Sequence, residues 1–495
     1  MAQEKVDMNI VVIGGGYGGI AAASYLAKSG HQVTLIEKNQ QLGGRAQVLK
    51  DRGFTFDMGP SWYMMPDLFD RYFNDFGIDT NDALKLVHLD PAYEVIEKDS
   101  QLTISANIKK NIKIFENIET GAGENLKKYI EDGNKKYSFA KKYFLFNSYR
   151  KLSSIGIACL PQLVAFRPYI NYDKYVNKRF KNPILRHTLK FMTVFLGGSP
   201  KAIPSLYSLL GYADMVQGIW YPMGGFGTLT RAMEKIAIDN GVKIVTNSPV
   251  TKIIVKNNHA RGVVIKNKTI PADIVVANAD YEHVETKLLA TKDRSYSKKY
   301  WQSLDTSPSG LLFFLGVKGK INNIKHHTLF FDGQWDEHFK SIKDKTVCED
   351  PLFYVSTPSV TDSSVAPKNH ENMFILVPVA SGRKYTDSEI DIIFANILGR
   401  LEKKFGQNIK DNIVVKHVRS SSYFSEMFNA FRGNSFGASH ILRQSALFRP
   451  RLQSKKVKGL YYVGQYTNPG TGVPLVITSG GVVSRLIQQD YAEND

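Results

Sequence analysis

Apolar runs near the start of the chain have the pattern of two short parallel strands separated by a helix. Residues 9–13 read Asn-Ile-Val-Val-Ile, a β-branched run typical of a strand buried on both faces. Small and apolar residues over 20–28 predict a helix that Gly30 terminates, and a second apolar run at 32–36 predicts another strand. This order predicts the βαβ unit of an α/β fold.

Glycines occupy the junction between the first strand and the helix. Gly14, Gly16 and Gly19 form the series G-x-G-x-x-G, which lets the backbone approach a pyrophosphate at the helix N-terminus. Glu37 follows the second strand, 18 residues after Gly19, where a carboxylate can bind both hydroxyls of an adenosine ribose. A glycine turn without a ligand is the alternative. The order of strand, glycines, helix, strand and acid favours a dinucleotide site.

The same patterns predict further elements along the chain. Residues 46–49 and 53–56 alternate around a turn at 50–52 and predict a hairpin. A stripe of apolar and aromatic residues from Pro66 onward, at helical spacing, favours a buried helix over a ligand wall. Further strands are predicted at residues 274–277, 311–317, 352–356, 373–379 and 460–463, and further helices at 228–238, at 386–404 and from Pro474 onward.

Two pairs of residues carry additional structural predictions. Asn278 and Asp280 follow the strand at 274–277 and are predicted to cap the next helix. Gly480 and Gly481 lie inside the last helix, where each costs about 1 kcal/mol relative to Ala. Another backbone is therefore expected to pass close to them.

Length and charge constrain the domain count and the partners. At 495 residues the chain predicts two connected domains. Lys and Arg outnumber Asp and Glu by 64 to 46, a net charge of +18, which favours an anionic partner. The sequence has no nucleic-acid-binding motif, so an acidic membrane surface is favoured and nucleic acid is not expected. A scattered charge that only keeps the protein soluble is an equal alternative.

Lysines and aromatic residues are interleaved over 127–151, a composition that suits a surface in contact with acidic lipid headgroups. A solvated helical face is the alternative. The longest uncharged apolar stretch, residues 155–166, has 12 residues, whereas a membrane span needs about 20. Any membrane contact is therefore predicted to be peripheral.

Cysteine and histidine usage argues against metal and disulfide chemistry. Cys159 and Cys348 are too few for a disulfide framework or a thiolate metal site, and no metal-ligand spacing is present. The 11 histidines are scattered, and His326 and His327 are predicted to form a surface pair at a strand end. The first strand begins too early for a signal peptide, so the sequence predicts a cytoplasmic protein, peripheral on the inner face of the cell membrane.

Four sequence blocks resemble a known flavoprotein family. "QLGGR" at 41–45 resembles the extended motif of the FAD-binding amine oxidase and carotenoid desaturase superfamily. "GFTFDMGPS" at 53–61, the block at 221–280 and "VGQYTNPGTGVP" at 463–474 are similar to the bacterial phytoene desaturase family, the acyclic carotenoid desaturases, most like its flavobacterial members. Tyr17 in the glycine loop and residues 465–468 depart from the family pattern, at places where relatives vary with substrate.

The resemblance implies a Rossmann-type FAD-binding domain with an interleaved α+β substrate domain and a helical membrane-facing region. It places a discontinuous FAD-binding domain at 1–75, 221–300 and 445–495, and a substrate and membrane-associating domain at 76–220 and 301–444. The N-terminal motif and the resemblance together imply FAD contacts from Gly14, Gly16, Tyr17, Gly18, Gly19, Glu37, Lys38, Gly43, Gly44, Arg45, Gly59, Pro60, Ser61, Val250, Asn278, Gly464, Gly472, Val473 and Pro474. Arg150 is the one candidate catalytic residue, placed by the resemblance near the reacting polyene.

The implied activity is desaturation of an acyclic carotenoid by hydride transfer to FAD and loss of a proton, with oxygen or a quinone as final electron acceptor. The forms of residues 141–151 and 463–472 favour a hydroxycarotenoid 3,4-desaturase, because the polar residues at 465–468 suit a functionalised substrate. A loop that contacts only FAD or solvent is the alternative. A phytoene desaturase making several double bonds, a flavin amine oxidase and a non-catalytic prenyl-binding escort protein remain open.

Overall fold

The computed structural model describes residues 7–149 and 159–492. In this part of the chain the strands are β1 (Asn9–Ile13), β2 (Gln32–Ile36), β3 (Val48–Asp51), β4 (Phe54–Asp57), β5 (Leu86–His88), β6 (Tyr93–Ile96), β7 (Gln101–Ile104), β8 (Trp220–Pro222), β9 (Lys243–Val245), β10 (Val250–Lys256), β11 (His259–Ile265), β12 (Lys268–Pro271), β13 (Ile274–Ala277), β14 (Ser309–Lys318), β15 (His327–Phe330), β16 (Phe353–Ser356), β17 (His370–Val379), β18 (Ile413–Arg419) and β19 (Leu460–Tyr462).

The helices are α1 (Tyr17–Lys28), α2 (Pro66–Asp75), α3 (Thr80–Ala83), α4 (Ile108–Ile118), α5 (Ala122–Tyr143), α6 (Leu160–Ala165), α7 (Tyr172–Asn177), α8 (Pro183–Lys190), α9 (Leu209–Tyr212), α10 (Phe226–Asp239), α11 (Tyr281–His283), α12 (Lys298–Ser303), α13 (Trp335–Asp344), α14 (Asp387–Phe405), α15 (Ser421–Phe428) and α16 (Val473–Ala492). Short 3₁₀ and π turns extend or join several of them. Over the described residues, no helix combines the length and the apolar character needed to cross a bilayer.

A five-stranded parallel sheet, in the order β19-β13-β1-β2-β9, forms the first layer of the fold. Its central strand β1 is buried on both faces: Ile10 and Val12 belong to the core that contains α1, α10 and α16, and Val11 and Ile13 belong to the core on the opposite side. The predicted strands at 9–13, 32–36 and 274–277 are confirmed with their bounds.

Helices α1 and α16 pack closely on this sheet. A Cβ built on Gly480 would lie 2.7 Å from the Cβ of Ala21 and 2.7 Å from the backbone nitrogen of Ala22. The predicted close approach of a backbone is therefore confirmed for Gly480, and that backbone belongs to α1, whereas the neighbour of Gly481 is the ring of Tyr25, 3.1 Å from a Cβ built there. This contact fixes the N-terminus of α16 relative to the glycine loop.

A seven-stranded mixed sheet, in the order β18-β14-β17-β16-β15-β6-β7, forms the second layer. Phe313, Ile375 and Ile397 belong to a core between this sheet and α14, whereas Phe314 and Phe374 belong to the core on its other face. The strands predicted at 311–317, 352–356 and 373–379 are confirmed, with β17 between the other two. Strands β6, β7 and β18 were not predicted, because each is short or carries charged residues.

Two local predictions need correction. The hairpin is real, but its strands are shifted and its turn lies at Arg52 and Gly53, both with positive φ. His326 and His327 are not a surface pair: the side chains are 4% and 0% exposed, at the start of β15 inside the second sheet.

Candidate functional site

A cavity of about 370 Å³ runs from the carboxyl edge of the parallel sheet to the inner face of the mixed sheet. Its first section is lined by the glycine loop after β1, by Glu37 after β2 and by the loop after β19. Its second section is lined by residues 58–62, by β14, by Tyr354 of β16 and by β17. The cavity therefore joins the dinucleotide-type loop to an apolar and aromatic wall.

The glycine loop is held in a shape that side chains would not permit. Gly14 has φ of +98° and donates its N–H to the carbonyl of Ile36 over 2.8 Å. A Cβ on Gly19 would lie 2.0 Å from the carbonyl oxygen of Gly14, and one on Gly18 would lie 2.8 Å from Oδ1 of Asn278. The loop thus leaves the N-terminus of α1 bare and open to the cavity, as a pyrophosphate requires.

Asn278 ties the first strand's loop to the strand beside it. Its amide donates to the carbonyls of Gly14 and Gly16, over 3.1 and 3.4 Å. The predicted helix cap at this position is therefore wrong for Asn278, while the cap is confirmed for Asp280, whose carboxylate accepts the N–H of Glu282. Asn278 lines the cavity, and its amide satisfies two carbonyls of the glycine loop.

Glu37 is almost fully buried, with 5% of its surface exposed. Its carboxylate accepts the backbone N–H of Gly15 over 2.7 Å and that of Asn39 over 2.8 Å. A carboxylate has about four lone-pair sites, so two remain for hydroxyls of a ribose in the cavity. Glu37 therefore has a second role that the sequence did not predict, which is to hold the glycine loop.

A second pair of glycines covers the first. Gly43 donates its N–H to the carbonyl of Gly15 over 2.8 Å, and a Cβ on Gly44 would lie 3.1 Å from the Cα of Gly16. Arg45 follows directly and donates through Nη2 to the carbonyl of Asn434 over 3.3 Å.

The Arg45 guanidinium also presents unused donor capacity to the cavity. Its Nε is buried and has no hydrogen-bond partner among the described residues. Burial lowers the pKa of Arg45, and the nearby Asp280 carboxylate opposes that shift. A partly buried cation with an unpaired N–H suits a phosphate or a polyhydroxyl chain.

The loop after β19 brings the N-terminus of α16 to the cavity. Gly464 and Gly472 have φ of +104° and +108°, and a Cβ on Gly472 would meet nothing within 4 Å. Gly472 and Val473 line the cavity, where the free N–H groups of the first turn of α16 are available to a ligand. Pro474 occupies that first turn, where its missing N–H costs little.

Of the four polar residues at 465–468, two line the cavity. Gln465 has a buried Nε2 without a partner among the described residues, and Tyr466 receives a hydrogen bond from Asn434 over 2.8 Å. Thr467 instead donates its hydroxyl to the carbonyl of Gly464 over 2.8 Å, and Asn468 is 7% exposed and outside the lining. The guanidinium of Arg449 binds the carbonyls of Gln465 and Thr467 and fixes this loop.

The remaining predicted residues are placed as follows. Gly59, Pro60, Ser61, Val250 and Lys38 line the cavity. Lys38 is half-buried, donates to the carbonyl of Glu426 over 3.1 Å, and has a pKa lowered by burial.

Three predicted residues have a different standing. Pro474 is in the first turn of α16 but outside the cavity lining. Tyr17 begins α1, but its hydroxyl is directed away from the loop to the carbonyl of Phe226 and to Thr230. Gly19 is buried inside α1 and outside the lining, so it shapes the loop through its close approach to Gly14. Arg150, the candidate catalytic residue, lies outside the described residues.

Sequence reasoning missed several residues of the second section. Trp62, Phe195, Leu312, Tyr354 and Phe374 form much of its wall. They come from separate strands and turns, and nothing in their local sequence marks them as neighbours.

Asp280 was predicted only as a cap, yet it lies beside Arg45, and burial raises its pKa to about 6.

The donor set fits FAD. The bare N-terminus of α1, the buried Glu37 carboxylate, the unpaired Nε of Arg45 and the open first turn of α16 face one cavity. They match in turn a pyrophosphate, a ribose, a polyhydroxyl chain and an electron-poor ring that gains negative charge.

Comparison with known proteins agrees with this geometry. The profile of the family described as flavin containing amine oxidoreductase matches residues 17–488. A carotenoid 3,4-desaturase of Haloarcula japonica is 36% identical over 98% of this chain and 99% of its own. A zeta-carotene-forming phytoene desaturase of Myxococcus xanthus is 32% identical over 100% of this chain and 96% of its own.

A solved structure has the same overall fold. Cyclohexylamine oxidase of Brevibacterium oxydans superposes with a TM-score of 0.61 at 13% identity, over 98% of this chain and 100% of that one. The predicted α/β fold and the predicted FAD cofactor are therefore confirmed. The chain is an FAD-dependent oxidoreductase that belongs to the flavin-containing amine oxidoreductase family and, within it, to the carotenoid desaturases.

Proposed function

We propose that this protein catalyses the 3,4-desaturation of a 1-hydroxylated acyclic carotenoid. The observation that carries the proposal is the single cavity that joins the glycine loop to an apolar aromatic wall containing hydroxyl groups. Its whole-length similarity to a carotenoid 3,4-desaturase supports the position of the new double bond. A polyene fits such a wall better than a soluble amine does, because Trp62, Phe195 and Phe374 give the second section an apolar surface.

In this proposal the cavity-lining residues predicted from the sequence hold the cofactor. The glycine loop and Arg45 bind the pyrophosphate of FAD, Glu37 binds its ribose, and the first turn of α16 faces its flavin ring. Bound FAD supplies a hydride acceptor. The N–H groups of Gly472 and Val473 then stabilise the negative charge that the reaction places at that end of the cavity.

The aromatic section orients the substrate and excludes water. Trp62, Phe195 and Phe374 form walls that hold a flat polyene in line with the first section. Loss of a hydride leaves a delocalised cation, and the C–H bond on the neighbouring carbon then becomes strongly acidic. A weak base is therefore sufficient to remove that proton and complete the double bond. We assign no catalytic base.

Two domains are proposed on the same basis. The parallel sheet draws its strands from residues 9–36, 243–277 and 460–462, which supports an FAD-binding domain made of 1–75, 221–300 and 445–495. The mixed sheet draws its strands from 93–104 and 309–419, which supports a substrate domain made of 76–220 and 301–444.

A product analysis tests the proposed reaction. Purified protein with FAD is incubated in liposomes with phytoene and, separately, with a 1-hydroxylated acyclic carotenoid, and products are followed by absorption and mass. We expect the hydroxylated substrate to lose one pair of hydrogens. Stepwise loss of several pairs from phytoene would instead establish a phytoene desaturase, a reaction named for the Myxococcus relative.

We also propose that the enzyme works at an anionic membrane surface. A forty-carbon polyene exposes on the order of 800 Å² of apolar surface, and transfer to water at 25 cal/mol/Å² costs roughly 20 kcal/mol. The substrate therefore has to pass directly between the bilayer and the cavity. The net charge of +18 favours binding to acidic lipid.

The structure changes which residues are candidates for that contact. Within the predicted segment 127–151, Lys136 is buried and paired with Asp132 over 2.7 Å, while Tyr137 and Phe139 are each 3% exposed. These three side chains are not free to meet lipid, so the prediction is wrong for them, whereas Lys127 and Lys128 are 52% and 65% exposed.

Exposed apolar residues lie elsewhere, and we call them the apolar face: Val164, Tyr169, Leu442, Leu447 and Phe448. Tyr169 and Phe448 are 71% and 65% exposed. The two parts of this face flank the turn at Ser205–Ser208: Ser205 donates to the carbonyl of Arg167, and Tyr207 bonds Ser445 over 3.1 Å. We propose that the apolar face enters the headgroup region.

Vesicle flotation tests the membrane proposal. The double variant Tyr169→Ser, Phe448→Ser is expected to bind anionic vesicles about tenfold more weakly than the parent. The matched control is Ile238→Ser, Ile392→Ser, which removes exposed apolar residues from α10 and α14. Equal loss in both variants would refute the assignment of the apolar face. Equal flotation with neutral and anionic vesicles at low salt would refute the electrostatic part.

Reoxidation of the cofactor completes the turnover, and we propose oxygen or a membrane quinone as the electron acceptor. Turnover measured anaerobically with and without an added quinone distinguishes the two.

A further inference from the structure

The aromatic section of the cavity contains a hydrogen-bonded chain of three side chains from three distant parts of the sequence. The Tyr354 hydroxyl donates to Oγ of Ser61 over 2.9 Å and lies 2.7 Å from Nδ1 of His327. Ser61 and Tyr354 line the cavity, and His327 lies behind them with 0% exposure. Around them the wall is made of Trp62, Phe374 and Leu376.

The chain has a direction. Because the Tyr354 hydrogen is used on Ser61, the 2.7 Å contact with His327 is made by an Nδ1–H that donates to the Tyr354 oxygen. Tyr354 is the one partner of Ser61 Oγ among the described residues. The hydroxyl hydrogen of Ser61 therefore remains available for an acceptor in the cavity, at the end of a chain whose bonds reinforce each other.

The chain is also rigid. The His327 ring stacks on the Trp62 indole, with centroids 4.6 Å apart and planes 14° apart. Nε2 of His327 is buried and without a partner in the described part of the chain, so the contact of Nδ1 with Tyr354 is the hydrogen bond that orients the ring. His327 is thus a positioning residue that fixes the Tyr354 hydroxyl, which in turn fixes Ser61.

We infer that Ser61 and Tyr354 form the recognition site for the hydroxyl group of the substrate. This inference rests on the proposed function, in which the hydroxyl is on C1 of the carotenoid and the new double bond joins C3 and C4. A hydroxyl so close to the reacting carbons has to lie near the cofactor end of the aromatic section. Ser61 directly follows Gly59 and Pro60, which line the cavity beside the first section.

Hydroxyl recognition fits these groups better than proton removal does. Burial holds the pKa of His327 well below its usual range, and His326 next to it adds to that shift. Burial also raises the pKa of Tyr354. Both groups therefore stay neutral, so the chain donates and accepts hydrogen bonds without carrying charge.

The test compares two substrates that differ only by the hydroxyl. The kcat/KM values are measured in liposomes for a 1-hydroxylated acyclic carotenoid and for the same carotenoid without the hydroxyl, in the parent, Ser61→Ala and Tyr354→Phe. Tyr296→Phe is the control, because it removes a phenol hydroxyl outside the cavity lining. The flavin content of each protein is measured first, since Ser61 is also close to the proposed cofactor site.

We expect each cavity variant to reduce the preference for the hydroxylated substrate about 3–10-fold, the effect of one neutral hydrogen bond. The ratio of the two kcat/KM values, each taken per bound flavin, is the readout for both cavity variants, and Tyr296→Phe should keep the parent ratio. Binding of the hydroxylated product, followed by quenching of tryptophan fluorescence, should weaken by the same factor.

Three outcomes would overturn the inference. Equal slowing on both substrates would mean that the chain serves the reaction itself, through proton removal or cofactor placement. A parent preference that survives in both variants would place recognition elsewhere, for example at Gln465, and would leave the proposed function intact. A parent enzyme with no preference for the hydroxylated substrate would reject both the inference and the proposed substrate.

Discussion

Removal of the Glu37 carboxylate should affect the folded protein and the cofactor separately. The carboxylate accepts the N–H of Gly15 over 2.7 Å and that of Asn39 over 2.8 Å, and the side chain is 5% exposed. Glu37→Ala removes both acceptors. Glu37→Gln keeps one amide oxygen, so it can accept one N–H, while its NH₂ group cannot accept the other.

The two lost bonds differ in their expected cost. The bond from Gly15 is buried, and a hydrogen bond to a charged group contributes about 1.5–3 kcal/mol. The N–H of Asn39 is partly exposed and can bond to water instead. We therefore expect Glu37→Ala to lower the free energy of unfolding by about 2–3 kcal/mol and Glu37→Gln by roughly half of that. The affinity for FAD should fall further in Glu37→Ala, because the ribose loses its acceptor as well.

Two measurements separate these effects. Denaturant unfolding of the flavin-free protein gives the stability term, and flavin absorbance per protein after gel filtration gives retention of the cofactor. The expected order of retention is parent, Glu37→Gln, Glu37→Ala. Full flavin occupancy in Glu37→Ala, together with an unchanged free energy of unfolding, would refute the assignment of Glu37 to the site and to the loop.

Further predictions concern helix packing and buried charge. Gly480→Ala should destabilise the fold and reduce flavin retention, since overpacking against Ala21 costs about 1–3 kcal/mol. Its control Gly399→Ala, in α14 with nothing within 4 Å, should stabilise by about 0.5–1 kcal/mol; equal effects in thermal melts would contradict the packing account. Burial raises the pKa of Asp214 to about 7 in the folded state, so its contribution to stability falls as pH rises from about 4 towards 7. Asp214→Asn should therefore gain stability relative to the parent as pH rises from about 4 to about 7, by at most about 4 kcal/mol, and keep that gain above pH 7. Parallel curves of melting temperature against pH would contradict this.

Local patterns were sufficient for the nucleotide-binding half of the fold. β1, β2 and β13 are short β-branched runs between clear turn signals, and their bounds could be predicted because a strand buried on both faces has few polar positions. The glycine series predicted the loop because glycine is the residue that leaves the helix N-terminus bare. The tie made by Asn278 was missed, since an Asn before a helix more often acts as a cap.

The aromatic section of the cavity depends on contacts between distant positions. Ser61 and Tyr354 are 293 residues apart and are joined only when β16 lies next to residues 58–62 across the cavity. His326 and His327 were predicted at the surface because two adjacent polar residues usually mark a strand end. Stacking on Trp62 and hydrogen bonds to Thr361 and Tyr354 offset their burial, and no local pattern encodes those contacts.

Anaerobic reduction of the bound flavin by substrate tests the central claim most directly. The purified holoprotein, in anionic liposomes without oxygen or quinone, is mixed with a 1-hydroxylated acyclic carotenoid, and the flavin and polyene absorption bands are recorded together. We expect the oxidised flavin band to bleach as the polyene band moves to longer wavelength, with one flavin reduced for each product molecule that is lighter by two hydrogens. A flavin band that stays oxidised while the carotenoid is unchanged would contradict the account.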